Sequence, residues 1–263
     1  MIGLVAIDVD GTLLDSRHGI SGATAAAIDR VRRAGVEVVL TTSRPPRALW
    51  PILERLALVE PAEFIASQGA LTGRYSATGD LRIVDRRPMP VGLAQQVAVA
   101  GSAAGMSVSW FAAERWLVER VDDLIRQESA IVGCAPVVTD LAVEHVGPDK
   151  ILLLVGAQGR DITDLVAVPE GLLALASTPT HLEVTRADVD KADALRRLCA
   201  RRGLGPDRVA AIGDGRNDLG MLAFAGIAVA PANAHPEVLA AADLITASND
   251  EDGVAEALAR LVP

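Results

Sequence analysis

An apolar segment at residues 4–7 runs directly into two carboxylates, Asp8 and Asp10. As an i, i+2 pair at the end of a strand, both side chains can lie on the same side of it. A carboxylate is ionised at neutral pH and can act as a nucleophile without a base, whereas a second carboxyl group nearby can serve first as acid and then as base. The pair predicts phosphoryl transfer through an aspartyl-phosphate: Asp8 would attack phosphorus, and Asp10 would protonate the departing alkoxide and later take a proton from water.

Polar residues follow two further apolar runs of the chain. Thr42 follows the first of them. Asp214 and Asp218 follow the other, at residues 209–212, and Lys191 opens the predicted helix that precedes it. Ligands of open α/β sheets bind beyond the carboxyl ends of the strands, so we expect these side chains to converge at one edge of a sheet. Thr42 could then donate to a phosphoryl oxygen, and Lys191 could place a positive charge beside the transferring group.

The predicted site carries more negative than positive charge, and this would repel a phosphate dianion. A divalent cation reverses that balance, and Mg²⁺ suits a site that offers carboxylate oxygens together with water and phosphate oxygens. Zinc is disfavoured because the four histidines, at positions 18, 145, 181 and 235, are isolated in the sequence. We therefore expect Mg²⁺ as the cofactor, with the ligand candidates Asp8, Asp10, Asp214 and Asp218.

The elements that must position these residues are apolar strands alternating with helices at both ends of the chain. This alternation implies right-handed β-α-β crossovers and a parallel sheet covered by helices. The predicted strands of this part lie at residues 4–8, 36–40, 64–67, 209–212, 227–229 and 244–246. The predicted helices lie at residues 21–34, 47–56, 190–202, 218–225, 236–241 and 253–261.

From near Leu81, the middle of the chain has a different pattern of predicted helices and strands. Its predicted elements are a hairpin at 107–111 and 115–119, strands at 151–155, 172–177 and 182–185, and helices near 91–104 and 122–131. Two of the three tryptophans, Trp110 and Trp116, lie here and indicate a separate small core. The sequence thus predicts a doubly wound parallel-sheet α/β core, residues 1–82 and 186–263, interrupted by an inserted α+β cap domain at residues 83–185.

Composition excludes several classes of protein. The 263 residues carry 25 Lys and Arg against 34 Asp and Glu, a net charge of −9, with no basic run that would suit nucleic acid. The mean hydropathy is +0.31, yet no apolar stretch approaches the ~20 residues of a membrane span. Cys134 and Cys199 have no metal-ligand spacing and are expected to be buried thiols in a reducing, cytoplasmic setting. A monomer or weak homo-oligomer is expected.

Residues 8–14, Asp-Val-Asp-Gly-Thr-Leu-Leu, resemble motif I of the haloacid dehalogenase-like (HAD) superfamily. Thr42 falls at the motif II Thr/Ser and Lys191 at the motif III Lys. Residues 213–218 are similar to the motif IV Gly-Asp-x-x-Asn-Asp. The insert between motifs II and III, together with the segment 225–229, resembles the C2-capped, Cof-type sugar phosphatases. The resemblance implies a Mg²⁺-dependent phosphatase of a sugar or polyol phosphate, with the phosphate-binding candidates Thr42, Ser43, Lys191 and Asn217.

Two alternatives to a phosphomonoesterase stay open on the sequence. A phosphomutase of the same fold would return the phosphoryl group to the substrate, and the phosphomannomutases of the superfamily share the cap type. A catalytically inactive binding or regulatory module is disfavoured by the intact Asp8, Asp10, Lys191 and Asp214. A dehalogenase is disfavoured because a halide leaving group needs no proton from Asp10.

The insert is expected to act as a lid that excludes water and contacts the leaving group of the substrate. Its polar and aromatic candidates for such contacts are Trp110, Trp116, Glu144, His145 and His181.

Overall fold

The computed structural model of the protein describes residues 1–156 and 162–262. Residues 157–161 of the predicted cap and residue 263 of the predicted core lie outside the described residues. The strands are β1 (Leu4–Asp8), β2 (Glu37–Thr41), β3 (Phe64–Ala66), β4 (Leu71–Tyr75), β5 (Leu81–Arg86), β6 (Ser107–Ala112), β7 (Arg115–Val118), β8 (Val137–Val138), β9 (Lys150–Leu154), β10 (Leu172–Thr178), β11 (His181–Arg186), β12 (Val209–Ile212), β13 (Ile227–Pro231) and β14 (Leu244–Thr246). The helices are α1 (Gly22–Arg33), α2 (Pro46–Arg55), α3 (Val91–Ala103), α4 (Asp123–Val132), α5 (Lys191–Arg202), α6 (Leu219–Phe224), α7 (Pro236–Ala241) and α8 (Gly253–Leu261).

The larger sheet has eight strands in the order β14-β13-β12-β1-β2-β3-β4-β5. The pairs from β14 through β3 are parallel, and β1 lies between β2 and β12, which places both ends of the chain in one sheet. Every residue of β1 is buried, as expected for a central strand covered on both faces. Helices α1, α2 and α8 pack on one face and α5, α6 and α7 on the other. The doubly wound α/β core predicted from the sequence is confirmed.

The second sheet has six strands in the order β10-β11-β9-β6-β7-β8 and is mostly antiparallel. Alternate residues of its strands pack in a core with α3, and others pack with α4 and with Ala48 of α2. We call this unit the cap. Lys150 of β9 and Glu183 of β11 contact the core at Ser43 and Gln68.

A hairpin of β4 and β5 extends the core sheet by two antiparallel strands that the sequence analysis missed. The apolar alternation is interrupted in β4 by Gly73 and Arg74, and β5 is an edge strand with three charged side chains, so neither shows a clear period of two. The predicted core–cap boundary at residues 82 and 83 falls inside β5, and the other, at 185 and 186, falls at the end of β11. We therefore propose chain crossings between the two units at residues 87–90 and 187–190.

Candidate active site

A buried lysine joins two carboxylates at the carboxyl ends of β1 and β12. Asp8 is the last residue of β1, and Lys191 is the first residue of α5, whose N-cap Asp190 accepts a hydrogen bond from the backbone of Asp193. Lys191 Nζ donates to Asp8 Oδ1 at 2.5 Å and to Asp218 Oδ1 at 2.7 Å. The exposed fractions of the three side chains are 1% for Lys191, 6% for Asp8 and 1% for Asp218. The three charged groups are therefore largely shielded from solvent and form hydrogen bonds with one another.

Asp214 completes an acidic cluster with Asp8 and Asp218. One carboxylate oxygen from each of the three lies within 4.8 Å of the others. Thr12 Oγ1 donates to Asp214 Oδ1 at 2.7 Å, and Asp218 Oδ2 accepts the backbone amide of Asp214 at 3.1 Å. Gly11 has φ +80°, and a side chain there would overlap the Asp214 carboxylate, so the loop after β1 can approach the loop after β12 only with glycine.

Burial and mutual repulsion shift the pKa values of the cluster. The pKa of Asp8 is raised well above its usual value, mainly by burial and then by the negative charge of Asp218, with Lys191 opposing both. Burial also raises the pKa of Asp214, against the hydrogen bond from Thr12. Burial lowers the pKa of Lys191, but the negative charges of Asp218 and Asp8 raise it by more than burial lowers it. The net pKa is raised, so the amine stays protonated.

The cluster fits a divalent cation. Three hard carboxylate oxygens converge at a buried point, and only one amine opposes their charge among the contacts described. The raised pKa values of Asp8 and Asp214 show that carboxylate charge at this point is under-compensated. A metal bound there would lower both pKa values, because it favours the ionised form of its ligands.

Asp10 departs from the predicted ligand set. Its carboxylate is not part of the cluster; it accepts two hydrogen bonds from the Arg44 guanidinium, at 2.8 Å from Nε and 2.5 Å from Nη2. The alternation expected along a strand does not reach Asp10, because β1 ends at Asp8 and the chain turns into an isolated bridge between Asp10 and Leu14. Its side chain is 42% exposed. The Asp10 carboxylate is therefore separated from the cluster of Asp8, Asp214 and Asp218 by its contact with Arg44.

The loop after β2 carries the predicted phosphate-binding residues Thr42 and Ser43. Thr42 is buried, and its Oγ1 accepts the backbone amide of Arg44 at 3.0 Å. The Ser43 carbonyl accepts a hydrogen bond at 2.8 Å from Nζ of Lys150, a residue of the cap. The loop is therefore fixed by one hydrogen bond within itself, to Thr42, and by one from the cap, from Lys150.

A chain of polar contacts continues from this loop across the cap to the loop after β12. Lys150 Nζ lies 3.2 Å from Glu183 Oε1, and Gln68 Nε2 donates to Glu183 Oε2 at 3.1 Å. The side-chain oxygen Oε1 of Gln68 accepts a hydrogen bond from Asn217 Nδ2 at 3.3 Å. The predicted phosphate-binding residue Asn217 thus lies beside Asp218 and contacts Gln68, at the junction of core and cap.

The cap residues singled out from the sequence occupy varied positions. Trp110 is in the cap core, with Nε1 donating to the Val146 carbonyl, and Trp116 stacks on Phe111 beneath α4. Glu144 pairs with Arg115, and His145 is exposed. His181 is half-buried, with Nε2 4.0 Å from Glu128 Oε2. Of the five, His181 is the one near a group of buried charged residues of the cap, Lys150, Glu183 and Glu128, which we call the charged face of the cap.

Sequence reasoning missed Lys150, Glu183 and Glu128, which form that charged face. Burial raises the pKa of Glu128, against the positive charges of Lys150 and His181. A signal for two of these residues was present: Lys150 begins the otherwise apolar strand β9, and Glu183 lies between Leu182 and Val184 of β11. Charged side chains are rarely buried unless they are paired, so such positions indicate a site or an interface.

Comparison with known proteins agrees with this geometry. The family model described as haloacid dehalogenase-like hydrolase matches residues 5–258. The chain belongs to this family. It is 29% identical to the Bacillus subtilis 5-amino-6-(5-phospho-D-ribitylamino)uracil phosphatase YitU, over 97% of this chain and 96% of the relative. Phosphatase YwpJ of the same organism is 27% identical, over 98% of this chain and 99% of the relative.

Solved structures of HAD-like proteins superpose on the whole chain. A haloacid dehalogenase-like hydrolase from Bacteroides thetaiotaomicron, 27% identical, gives a TM-score of 0.87 and covers 99% of this chain and 100% of its own. A HAD subclass IIB sugar phosphatase gives a TM-score of 0.83 over 98% of each chain at 20% identity, a likeness of fold alone. The expected family is confirmed, and this HAD-like protein is a phosphatase. None of the helices within residues 1–156 and 162–262 is long and apolar enough to cross a membrane.

Proposed function

We propose that this HAD-like phosphatase is a Mg²⁺-dependent phosphomonoesterase that hydrolyses a sugar or polyol phosphate through an aspartyl-phosphate on Asp8. The observation that carries the proposal is the buried Asp8–Lys191–Asp218 arrangement beside a cluster of three carboxylates. A buried lysine that contacts the nucleophile can neutralise the incoming phosphoryl oxygens, and the nucleophile needs no base. Both cysteines are free thiols, which supports a reducing, cytoplasmic location.

In the first half-reaction, an Asp8 carboxylate oxygen attacks phosphorus and forms the new P–O bond. The ester P–O bond breaks, its electron pair stays on the leaving oxygen, and the Asp10 carboxyl group gives that oxygen its proton. Lys191 and the Thr42 hydroxyl stabilise the charge on the phosphoryl oxygens during transfer. In the second half-reaction, Asp10 takes a proton from water as the water oxygen attacks phosphorus, and the bond from phosphorus to Asp8 breaks.

Asp8, Asp214 and Asp218 would hold the Mg²⁺ ion, through their carboxylates or through bound water. A cation there supplies Lewis-acid neutralisation of phosphate oxygens, which lets a dianion enter an acidic site. Asp218 also supports the site in another way, because its second oxygen accepts the amides of Asp214 and Gly215 at 3.1 and 2.9 Å. It fixes the loop on which Asp214 lies.

The space beside the site is compatible with a leaving group that carries hydroxyls. A cleft of about 250 Å³ lies between cap and core, and its polar walls include Gln68, Glu183 and Asn217. Leu173 and Leu175 of β10 form part of an apolar wall. The relative YitU is named for a phosphate ester with a ribityl chain and a uracil ring, a compound with one polyol part and one flat part. A polyol phosphate of this kind fits the two sorts of wall.

The test is a screen of sugar and polyol phosphates, with p-nitrophenyl phosphate as a general substrate, for release of inorganic phosphate. We expect turnover with Mg²⁺ present and none after chelation. Products are then analysed with a hexose bisphosphate present, because a phosphomutase would give an isomeric ester in place of free phosphate. Absence of phosphate release from every ester with Mg²⁺ would overturn the proposal.

A further inference from the structure

Lys150 is a buried cation of the cap that reaches the core. It is the first residue of β9 and only 4% exposed. Its Nζ has three neighbours in three directions: Glu183 Oε1 at 3.2 Å, the Ser43 carbonyl at 2.8 Å, and the Phe111 ring, with the centroid at 5.6 Å. Glu183 and Phe111 belong to the cap. The Ser43 carbonyl belongs to the core, so this hydrogen bond exists only while the cap lies over the site.

The Ser43 carbonyl is one half of the peptide group that joins Ser43 to Arg44. The other half, the Arg44 N–H, donates to Thr42 Oγ1 at 3.0 Å. Lys150 and Thr42 therefore hold the two ends of one peptide plane, which fixes the point from which the Arg44 side chain departs. The Arg44 guanidinium in turn donates one hydrogen bond to each carboxylate oxygen of Asp10. This planar, bidentate contact fixes the orientation of the carboxyl group.

We infer that Lys150 is a positioning residue that couples closure of the cap to the orientation of Asp10. This inference rests on the proposed function, in which Asp10 protonates the leaving group. When the cap opens, Lys150 loses the Ser43 carbonyl, the Ser43–Arg44 peptide is held from one side only, and Asp10 loses its fixed support. Proton donation is then confined to the closed state, where the substrate is shielded from bulk water.

The kinetic test uses the dependence on the leaving group. A sugar or polyol alkoxide is a poor leaving group and needs the proton from Asp10, whereas p-nitrophenolate departs without it. In Lys150→Met we expect the single-turnover rate of leaving-group release, which precedes the action of Asp10 on water, to fall about 30-fold for the best sugar or polyol phosphate of the screen. We expect the same rate for p-nitrophenyl phosphate to fall less than threefold. Lys150→Arg, which keeps a cationic donor, should recover a large part of the loss. Equal losses on both substrates, or no loss on either, contradict the inference.

The matched control is Arg115→Met, which removes a cation of the same cap sheet. Arg115 pairs with Glu144 at the surface of the cap and has no part in the site. We expect both substrates to be turned over at the wild-type rate. A loss in this variant equal to that of Lys150→Met would show that any missing cap charge has the same effect, and would overturn the specific role of Lys150.

A second measurement does not depend on turnover, so it separates this inference from the proposed function. Amide hydrogen exchange is compared in the wild type, Lys150→Met and Arg115→Met, with thermal unfolding as the check on folding. Exchange at the amides of Thr42, Ser43, Arg44 and Arg47 should be faster in Lys150→Met alone. Unchanged exchange there refutes the positioning role, whereas a wild type that hydrolyses no ester refutes the proposed function and leaves the exchange result standing.

Discussion

The floor and the roof of the candidate site are built in opposite ways. The floor is the cluster of Asp8, Lys191, Asp214 and Asp218, which lie at the end of β1, at the start of α5 and in the segment after β12, and which contact one another within the core. The roof is the face of the cap with Lys150 and Glu183, whose contacts to the core are few and pass through Ser43 and Gln68. We propose that the floor performs the chemistry, whereas the roof controls when the site is closed and which ester is bound.

The strongest test of this comparison is removal of the nucleophile. Asp8→Asn keeps the size of the side chain but loses the attacking carboxylate, so we expect turnover of every phosphate ester to fall by at least about 10⁴-fold. The fold should persist, because Asp218 still pairs with Lys191. Phosphate release and thermal unfolding are the measurements.

Asp29→Asn is the control for this variant. Asp29 is an exposed residue of α1 that pairs with Arg33, and its loss should leave turnover unchanged. An Asp8→Asn protein that turned over substrate at the wild-type rate would place the nucleophile elsewhere and would break the distinction between floor and roof.

Lys191→Met is expected to have the next largest effect and to act on stability as well. It leaves Asp8 and Asp218 buried without their cation, so the free energy of unfolding of the metal-free protein should fall by about 3–5 kcal/mol near pH 8. Turnover should fall roughly 10²- to 10³-fold. Denaturant unfolding with a chelator present measures the first effect.

The sign of the pH dependence follows from the raised pKa of Asp8. The folded state binds the Asp8 proton more tightly than the unfolded state, so protonation relieves the buried charge as the pH falls through the folded-state pKa. The penalty of Lys191→Met should therefore be smaller near pH 5 than near pH 8. A penalty that grows on acidification would contradict the assignment of Asp8 as an under-compensated carboxylate.

Metal binding gives a third test, and it has a readout besides activity. Mg²⁺ should stabilise the wild type against unfolding, by about 2.7 kcal/mol when its concentration is 100 times the dissociation constant. Asp214→Asn removes one ligand of the cluster and should lose most of this shift. Asp10→Asn should keep it, because the Asp10 carboxylate lies on Arg44. Equal losses in the two variants would return Asp10 to the ligand set predicted from the sequence.

The smallest effect is expected at the roof. Leu175→Ala removes an apolar side chain that is 41% exposed and borders the cleft. The free energy of unfolding should change little, and KM for the best substrate should rise about threefold with kcat nearly unchanged. A fall in kcat as large as that of Lys191→Met would show that the roof takes part in the chemistry.

The sequence predicts the floor better than the roof, for a physical reason. Asp8, Asp214 and Asp218 follow apolar strands directly, and parallel strands bring their carboxyl ends to one edge, so one local pattern identifies all three. Asp10 shows the limit of that pattern, because strand alternation stops where β1 stops. The contact between Lys150 and Ser43 spans 107 positions and depends on how the cap lies on the core, which no local pattern encodes.

The β4–β5 hairpin was missed for a related reason. An edge strand with one face open to water needs only a weak apolar pattern, and its pairing comes from the backbone of its neighbour. The covered strands of the core, in contrast, read as continuous apolar runs and were predicted nearly to the residue.

The central position of β1 has a consequence for how the chain acquires its activity during synthesis. β1 precedes the cap in the chain, yet one of its two neighbours is β12, which follows the cap, and the residue pair Asp8–Lys191 is separated by 183 positions. The six strands of the cap sheet, β6 to β11, follow one another in the chain and pair only with one another. During synthesis on the ribosome, the cap can therefore fold while one edge of β1 is still unpaired. The active site can form only after β12 has emerged and paired with β1.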